Sequence, residues 1–334
     1  MLPPGRVRTI ADLATLAGVS PGTVSRALNG SPLVRAQTRE RIAALAREHD
    51  FRLNLAARSL RTRRTGAIGV VVPRAATGAE PDPLAMALLA PVGDALAARG
   101  HALVLMQPAP DAPGWLAGLA ASGRVDGVIV IAPVDAGGLA GALSGSDLPL
   151  VVWGDPAAAS GACTVGPDDT ESGRLAAMQL IAGGCRRLAF VGPGTAAQTA
   201  RLNGFRAAAR EAGLPAPAAI DPALLMTESP GPAIAAWLNT FPVKPDGLFA
   251  GSDMIAMSAL QGLAECGLSV PGQARIVGHD NLAVAARTIP PLTTVAVDLA
   301  AAAACLVERL FRRIAGEPAG PALVAPGLVV RASA

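Results

Sequence analysis

Two sets of residues in this sequence have types and spacing suited to chemistry. The first lies in Pro21-Gly22-Thr23-Val24-Ser25-Arg26-Ala27-Leu28-Asn29. Read as a helix with Pro21 at its first position, the stretch exposes Thr23, Ser25, Arg26 and Asn29. Hydroxyl, guanidinium and amide groups on one helix hydrogen-bond phosphate oxygens and base edges. The second set stands at the ends of apolar runs: Arg74 just past "AIGVVVP", Trp153 and Asp155 in "LPLVVWGD", and Asp280 closing "RIVGHD". Carboxylates suit ligand hydroxyls, and an indole suits the apolar face of a sugar ring. Catalysis is not read here. His279 adjoins Asp280, yet adjacent strand residues point to opposite faces, and no G-x-S-x-G turn supplies a nucleophile. "GPGT" at 192–195 is too short for a phosphate-binding loop and lacks its lysine. No metal-ligand spacing occurs, so no catalytic residue, metal or cofactor is expected.

The elements holding these groups are of two kinds. Residues 1–65 carry twelve arginines and four acids, a net of +8. The whole chain is +3, which leaves −5 for the remainder. A basic head on a mildly acidic body reads as a polyanion-binding module joined to something else. In the head, Thr9 caps a helix "IADLATLA", Gly18 ends it, Pro21 to Asn29 form a second helix and Ala36 to His49 a third. Three short helices with a tight glycine-containing turn describe a helix-turn-helix domain, residues 1–50. "FRLNLAARSLRTRRT", residues 51–65, is too basic and too short to own a core and reads as a hinge.

From Ala67 onward, apolar runs at 67–73, 102–108, 127–133, 148–155, 188–193, 246–253 and 274–280 alternate with helical stretches. The clearest of these are 84–99, 170–183, 199–212 and 254–267. Strands apolar on both faces alternating with helices predict parallel sheets with right-handed crossovers, enough for two. Ligands of such sheets sit beyond the carboxyl ends of the strands. Half the residues are hydrophobic, but alanine accounts for much of that. The longest apolar runs, such as Leu299 to Val307, fall short of the ~20 residues of a membrane span. A cytoplasmic location, nucleoid-associated on DNA, is expected. Cys163, Cys185, Cys266 and Cys305 are dispersed and read as reduced, buried or half-buried thiols.

"TIADLATLAGVSPGTVSRALNG", "TRERIAALA", "NLAARSLRTRRTGAIGVVVP", "VDGVIV", "GGCRRLAFVG", "RLNGFRAAAREAGL", "IVGHDN", "IPPLTTVAVD" and "GLVVRAS" follow one another along nearly the whole chain. Together they resemble the lactose-repressor (LacI/GalR) family of bacterial transcription regulators. The resemblance implies an all-α DNA-binding head, a hinge helix and an α/β effector domain at 66–334. That domain would have two parallel-sheet lobes like those of periplasmic sugar-binding proteins. Lobe 1 is expected at about 66–164 and 297–324, and lobe 2 at about 165–293 and 325–334. A homodimer on a pseudo-palindromic operator follows, with the helices near 84–99 and 254–267 as dimer surfaces.

On DNA, the resemblance assigns Thr9, Ser20, Thr23 and Ser25 to phosphates, and Arg26 and Asn29 to base edges or phosphates. Pro21 and Gly22 occupy positions where relatives carry operator-selective side chains. Specificity should therefore shift toward Arg26, the hinge and DNA shape. In the hinge, Leu60 is the apolar wedge into the minor groove, with Asn54, Ala57, Arg58 and Arg61 beside it. In the effector domain, Asp280 matches the family's effector-binding carboxylate and Arg201 its arginine, while Ser252 stands where asparagine is usual. Asp82-Pro83-Leu84-Ala85 replaces a pair of aromatics, and Arg74 would favour an acidic sugar. Asp253 is expected to cap the following helix, and Arg201 with Asp280 can alternatively form a structural ion pair. The expected function is a ligand-responsive repressor of carbohydrate-related genes. The alternatives are a regulator using a purine or other corepressor, and a solute-binding protein.

Overall fold

The computed structural model describes residues 7, 9–28, 31–51, 64–72, 82–107, 114–131, 148–154, 163–227 and 229–334. The chain divides into two compact units, Met1–Thr65 and Gly66–Ala334.

The first unit holds α1 (Ile10–Ala17), α2 (Pro21–Leu28) and α3 (Ala36–Glu48). Thr9 caps α1. Its hydroxyl accepts from Asp12 N while the Asp12 carboxylate accepts from Thr9 N, which satisfies two N–H groups that the helix leaves unpaired. Gly18 ends α1 in the left-handed region at φ 61°. Leu13, Val24 and Ile42, one from each helix, are fully buried at the centre of a small core. Arg41 donates to the Ala17 carbonyl at 2.6 Å and ties α3 to the end of α1.

The second unit contains two sheets. The first comprises β1 (Ala67–Val71), β2 (Ala102–Met106), β3 (Gly127–Ile131), β4 (Leu150–Trp153), β5 (Thr164–Pro167) and β11 (Ala322–Val324). Their spatial order is β2-β1-β3-β4-β5-β11. The second comprises β6 (Leu188–Val191), β7 (Ala218–Ala219), β8 (Gly247–Ala250), β9 (Arg275–Asp280), β10 (Thr293–Val297) and β12 (Pro326–Val329), ordered β7-β6-β8-β9-β10-β12. The same winding thus occurs twice, and in each sheet the chain reverses direction across its first strand. Central strands such as β3 and β4 are buried along their whole length, which is why they read as unbroken apolar runs. In the first lobe, α4 (Pro83–Ala97) and α10 (Leu299–Ile314) cover one face, and α5 (Trp115–Ser122) packs on the other. In the second, α6 (Asp169–Ala182) and α7 (Ala196–Glu211) cover one face, with α8 (Pro230–Leu238) and α9 (Asp253–Glu265) on the other.

Three features depart from the sequence reading. β12 runs antiparallel to β10, so the second sheet is not purely parallel. β5, β7, β10, β11 and β12 lie outside the expected strands. They are short, or open on polar residues such as Thr293 and Thr294, and so carry little hydrophobic period. Finally, β5 belongs wholly to the first sheet and β10 wholly to the second. The chain therefore crosses between lobes at Asp168 and Asp298, a few residues from the expected boundaries, and at Ala325, where a boundary was expected. Asp168 and Asp298 also cap the helices that follow, accepting from Glu171 N and Ala301 N, both at 2.9 Å.

One helix pair sets up the site. α6 and α7 meet at Gly173 and Gly204, where a methyl would overlap the Arg201 and Thr170 carbonyls respectively. This close approach brings Asp169, one turn before Gly173, against Arg201.

Candidate functional site

A cavity of about 360 Å³ opens where the carboxyl ends of the two sheets face each other. The first lobe contributes Asp82 and Ala85 from the start of α4, Ile131 from β3 and Trp153 from β4. The second contributes Gln198 and Arg201 from α7, Ser252 after β8 and Asp280 at the end of β9. α7 and the Gly251–Ser252 turn follow β6 and β8, the pair on either side of the point where the strand order reverses. Connections diverge there and leave a crevice, the usual ligand position of such sheets.

Arg201 is buried. Its Nε donates to Asp169 Oδ1 at 2.7 Å and its Nη1 to the Gly251 carbonyl. The structural ion pair is therefore with Asp169, not with Asp280. Asp280 ends β9 at φ 106°, and Asn281 follows at φ 55°. Both lie in a region that Asp and Asn tolerate better than other side chains. The turned backbone folds the Asp280 carboxylate back onto its neighbour, where Oδ1 and His279 Nδ1 share a hydrogen bond of 2.7 Å. Opposite-facing geometry was expected for these two; the positive φ removes it. His279 is wholly buried, and burial holds its pKa well below the usual value. Burial raises Asp280 to about 7, with Arg201 pulling the other way. Asp82, exposed at the rim, has its carboxyl raised by desolvation and by the Asp280 charge, while the Leu84 N–H and Arg201 lower it.

The corner after Asp280 is braced from below. Ser252, not Asp253, caps α9, accepting from Ile255 N at 3.2 Å. Asp253 is fully buried; it accepts from Thr294 Oγ1 at 2.6 Å and from Leu282 N at 2.7 Å. Burial raises its pKa to about 7, against those two hydrogen bonds. Arg331 reaches Asn281 Oδ1 at 2.7 Å.

Of the expected effector residues, the cavity brings together Trp153, Arg201, Ser252 and Asp280; Arg74 and Asp155 lie outside the described residues. Sequence reasoning missed Gln198 and Asp169. Thr195-Ala-Ala-Gln198 has capping-box spacing, a signal that could have moved the helix start from 199 back to 196. The cavity offers carboxylate acceptors, a guanidinium donor, an amide, a hydroxyl and a flat indole. That set matches a neutral, polyhydroxylated molecule better than an anion, because Arg201 is already neutralised by Asp169. Among the described residues no cluster of three metal-ligating side chains occurs, and no helix is long and apolar enough to cross a membrane.

In the first unit, α2 presents its polar face with one correction: Ser25 is only 5% exposed and belongs to the interior. The Ser20 and Thr23 hydroxyls bond each other at 2.9 Å. A Cβ at Gly22 would lie 3.8 Å from Arg26 Nη2, so packing does not demand glycine there. The Arg26 side chain leans back along the helix over that vacant position. Asn29, Asn54, Ala57, Arg58, Leu60 and Arg61 lie outside the described residues.

Residues 9–54 match the model of the bacterial regulatory proteins of the lacI family, and residues 177–334 match that of a periplasmic binding protein-like domain. The chain is similar to the HTH-type transcriptional regulator CelR of Thermobifida fusca, with 32% identity over 318 residues and 94% of each chain covered. It is also similar to the HTH-type transcriptional repressor PurR of Proteus mirabilis (strain HI4320), with 32% identity over 296 residues, 86% of this chain and 84% of that one. Among solved structures, a complex of the transcriptional regulator CelR with cellobiose superimposes with a TM-score of 0.69. It is 29% identical and covers 98% of this chain and 99% of that one.

Proposed function

This chain belongs to the lacI family of bacterial regulatory proteins, and on that premise we propose that it is a repressor whose grip on operator DNA is set by a sugar in the interlobe cavity. It is a DNA-binding transcription regulator, like its relatives, and not an enzyme. One observation carries the choice of ligand. The cavity is bordered by Arg201 and Asp280 from one lobe and by Trp153 from the other, so a donor, an acceptor and an indole line one space. Sugar hydroxyls give and accept hydrogen bonds, and sugar rings carry apolar C–H faces, so all three side chains find partners in one molecule.

The working unit is a homodimer. β2 is an edge strand, and Val104 and Leu105 on it are 40% and 43% exposed; Met86 on α4 is 42% exposed. Apolar side chains on an open edge are a liability in a monomer and a surface for a second copy. Two heads then face the two halves of a pseudo-palindromic operator. Arg26 reads base edges. Thr9, Ser20 and Thr23 meet phosphates, Pro21 and Gly22 allow close backbone approach, and Asn29 completes the surface. Between the units, Asn54, Ala57, Arg58, Leu60 and Arg61 form the minor-groove segment, with Leu60 as its wedge. A sugar that prefers one arrangement of the lobes biases how two such segments meet. Moving occupancy from nearly full to nearly empty takes roughly 10⁴-fold preference for one state.

The test is a thermal-shift screen of cellobiose, maltose, ribose, sugar acids and purines, followed by operator-binding anisotropy with each hit. A neutral sugar that stabilises the chain and weakens operator binding supports the reading. A purine hit, or a sugar that tightens DNA binding, overturns it in favour of corepression.

A further inference from the structure

We infer that Gln198 is a specificity-determining residue of the interlobe cavity, its amide held in a slot between Gly192 and Gly251 to hydrogen-bond a hydroxyl of the effector. The inference rests on the reading of that cavity as a sugar site.

Gln198 is the third residue of α7, and Thr195 is the helix cap. In a complete capping box a glutamine at this position turns back to the cap's own N–H. Here only half of the box forms. The Thr195 hydroxyl accepts from Gln198 N at 3.3 Å, while the Gln198 side chain takes another course. It runs into the gap between the turns that follow β6 and β8. A Cβ on Gly192 would come within 2.7 Å of Gln198 Oε1, and one on Gly251 within 2.9 Å of Cδ. Glycines at both positions leave room for one planar amide.

That amide is 8% exposed as a residue, it lines the cavity, and its Oε1 has no hydrogen-bond partner among the described residues. A buried acceptor without a partner is costly and calls for a reason. Gly251 supplies the link to the rest of the site, since its carbonyl accepts from Arg201 Nη1. The Gln198 amide therefore lies beside the buried arginine, at the point where the strand order reverses. An amide offers a donor and an acceptor together, as a sugar hydroxyl does, and carries no charge to select for an anion. Asp280 when ionised supplies acceptors and Arg201 supplies donors; Gln198 carries one group of each kind on a single uncharged amide.

The experiment uses the full chain with Gln198→Leu, Gly251→Ala and the two combined. Binding is measured by calorimetry with cellobiose, maltose and ribose, and melting is followed without sugar. The expected result is that wild type binds at least one of these sugars and that Gln198→Leu weakens it roughly tenfold or more. The sugar-free melting temperature is unchanged or raised, because leucine leaves no unmet acceptor. Gly251→Ala gives a similar loss, since its methyl meets only the Gln198 amide. The double variant is no worse than either single one. Unchanged affinity in Gln198→Leu overturns the inference, as do additive losses in the double variant. So does a loss matched by a lowered sugar-free melting temperature, which marks a scaffold role. If Gln198→Leu does not fold, Gly251→Ala decides alone. A wild type that binds none of the three sugars brings down the sugar reading and this inference with it. A wild type that binds, with Gln198→Leu indifferent, removes this inference only.

Discussion

Asp280→Asn should make the protein more stable at pH 8 while impairing sugar binding. Burial holds the Asp280 carboxyl at about 7, against an ordinary 3.8. Between those values the folded state binds a proton that the unfolded chain has lost. Stability therefore falls as pH rises across that window and is flat above it. Ionising the group at pH 8 costs about 4 kcal/mol, more than half of it incurred between pH 5 and pH 8. Asparagine tolerates the positive φ of this position, and its Oδ1 still accepts from His279 Nδ1. The substitution thus removes the charge and little else. Trp115, Trp153 and Trp237 all lie in the Gly66–Ala334 unit, so tryptophan fluorescence follows its melting without interference from the head. The variant's advantage over wild type should be roughly 5–10 °C larger at pH 8 than at pH 5. Asp253 titrates in both proteins and largely cancels in the difference. Sugar hydroxyls that donate to Asp280 favour its charged form, so wild-type affinity should rise from pH 6 to pH 8, and the variant's should not. An advantage that is equal at the two pH values, or absent at pH 8, refutes the claim that Asp280 is held protonated by burial.

Arg201→Ala removes the guanidinium that pairs with the buried Asp169 carboxylate and should cost about 3–5 kcal/mol in chemical denaturation, along with sugar binding. Arg201→Lys should not restore binding, because a single ammonium cannot serve Asp169, Gly251 and a ligand together; calorimetry on the lysine variant checks this. Gly204→Ala forces a methyl into the Thr170 carbonyl and should prevent α6 and α7 from closing, seen as loss of cooperative melting of the second unit. Val104→Asp on the edge strand should give monomers by analytical ultracentrifugation with little change in melting temperature, since Val104 is already 40% exposed.

The strands and helices of both lobes were legible where apolar runs were long, as in β1, β3 and β9, because burial on both faces leaves an unbroken signature. Short strands such as β7 and β11 have too few residues to show a period. β12 turned out antiparallel because it is reached by a one-residue step from β11 and not through a helix, and no residue type announces that. In the site, strand-end position pointed to Trp153 and Asp280, and resemblance pointed to Arg201 and Ser252. Asp169 was illegible, because its meeting with Arg201 depends on two glycines in different helices. The cap of α9 was assigned one residue late, since Ser252 and Asp253 are both good caps and only the fold decides which is buried. Ser25 was misplaced for a similar reason: a small hydroxyl on a short helix suits either side.

The last two strands also bear on synthesis. β11 completes the first sheet and β12 the second, so the first lobe lacks a strand until residue 324 has been made and the second until residue 329. α10, which contributes Leu306, Val307 and Leu310 to the first lobe's core, is likewise made long after β3, β4 and β5, on which it packs. At ribosomal rates of ~5–20 residues per second, the stretch from β5 to β11 takes roughly ten to thirty seconds. During that interval the nascent chain holds a nearly assembled sheet of which one apolar face is covered by α4 but not yet by α10. The winding that lets three crossings join the lobes therefore leaves the first lobe waiting for its last helix and strand until the second lobe has been made.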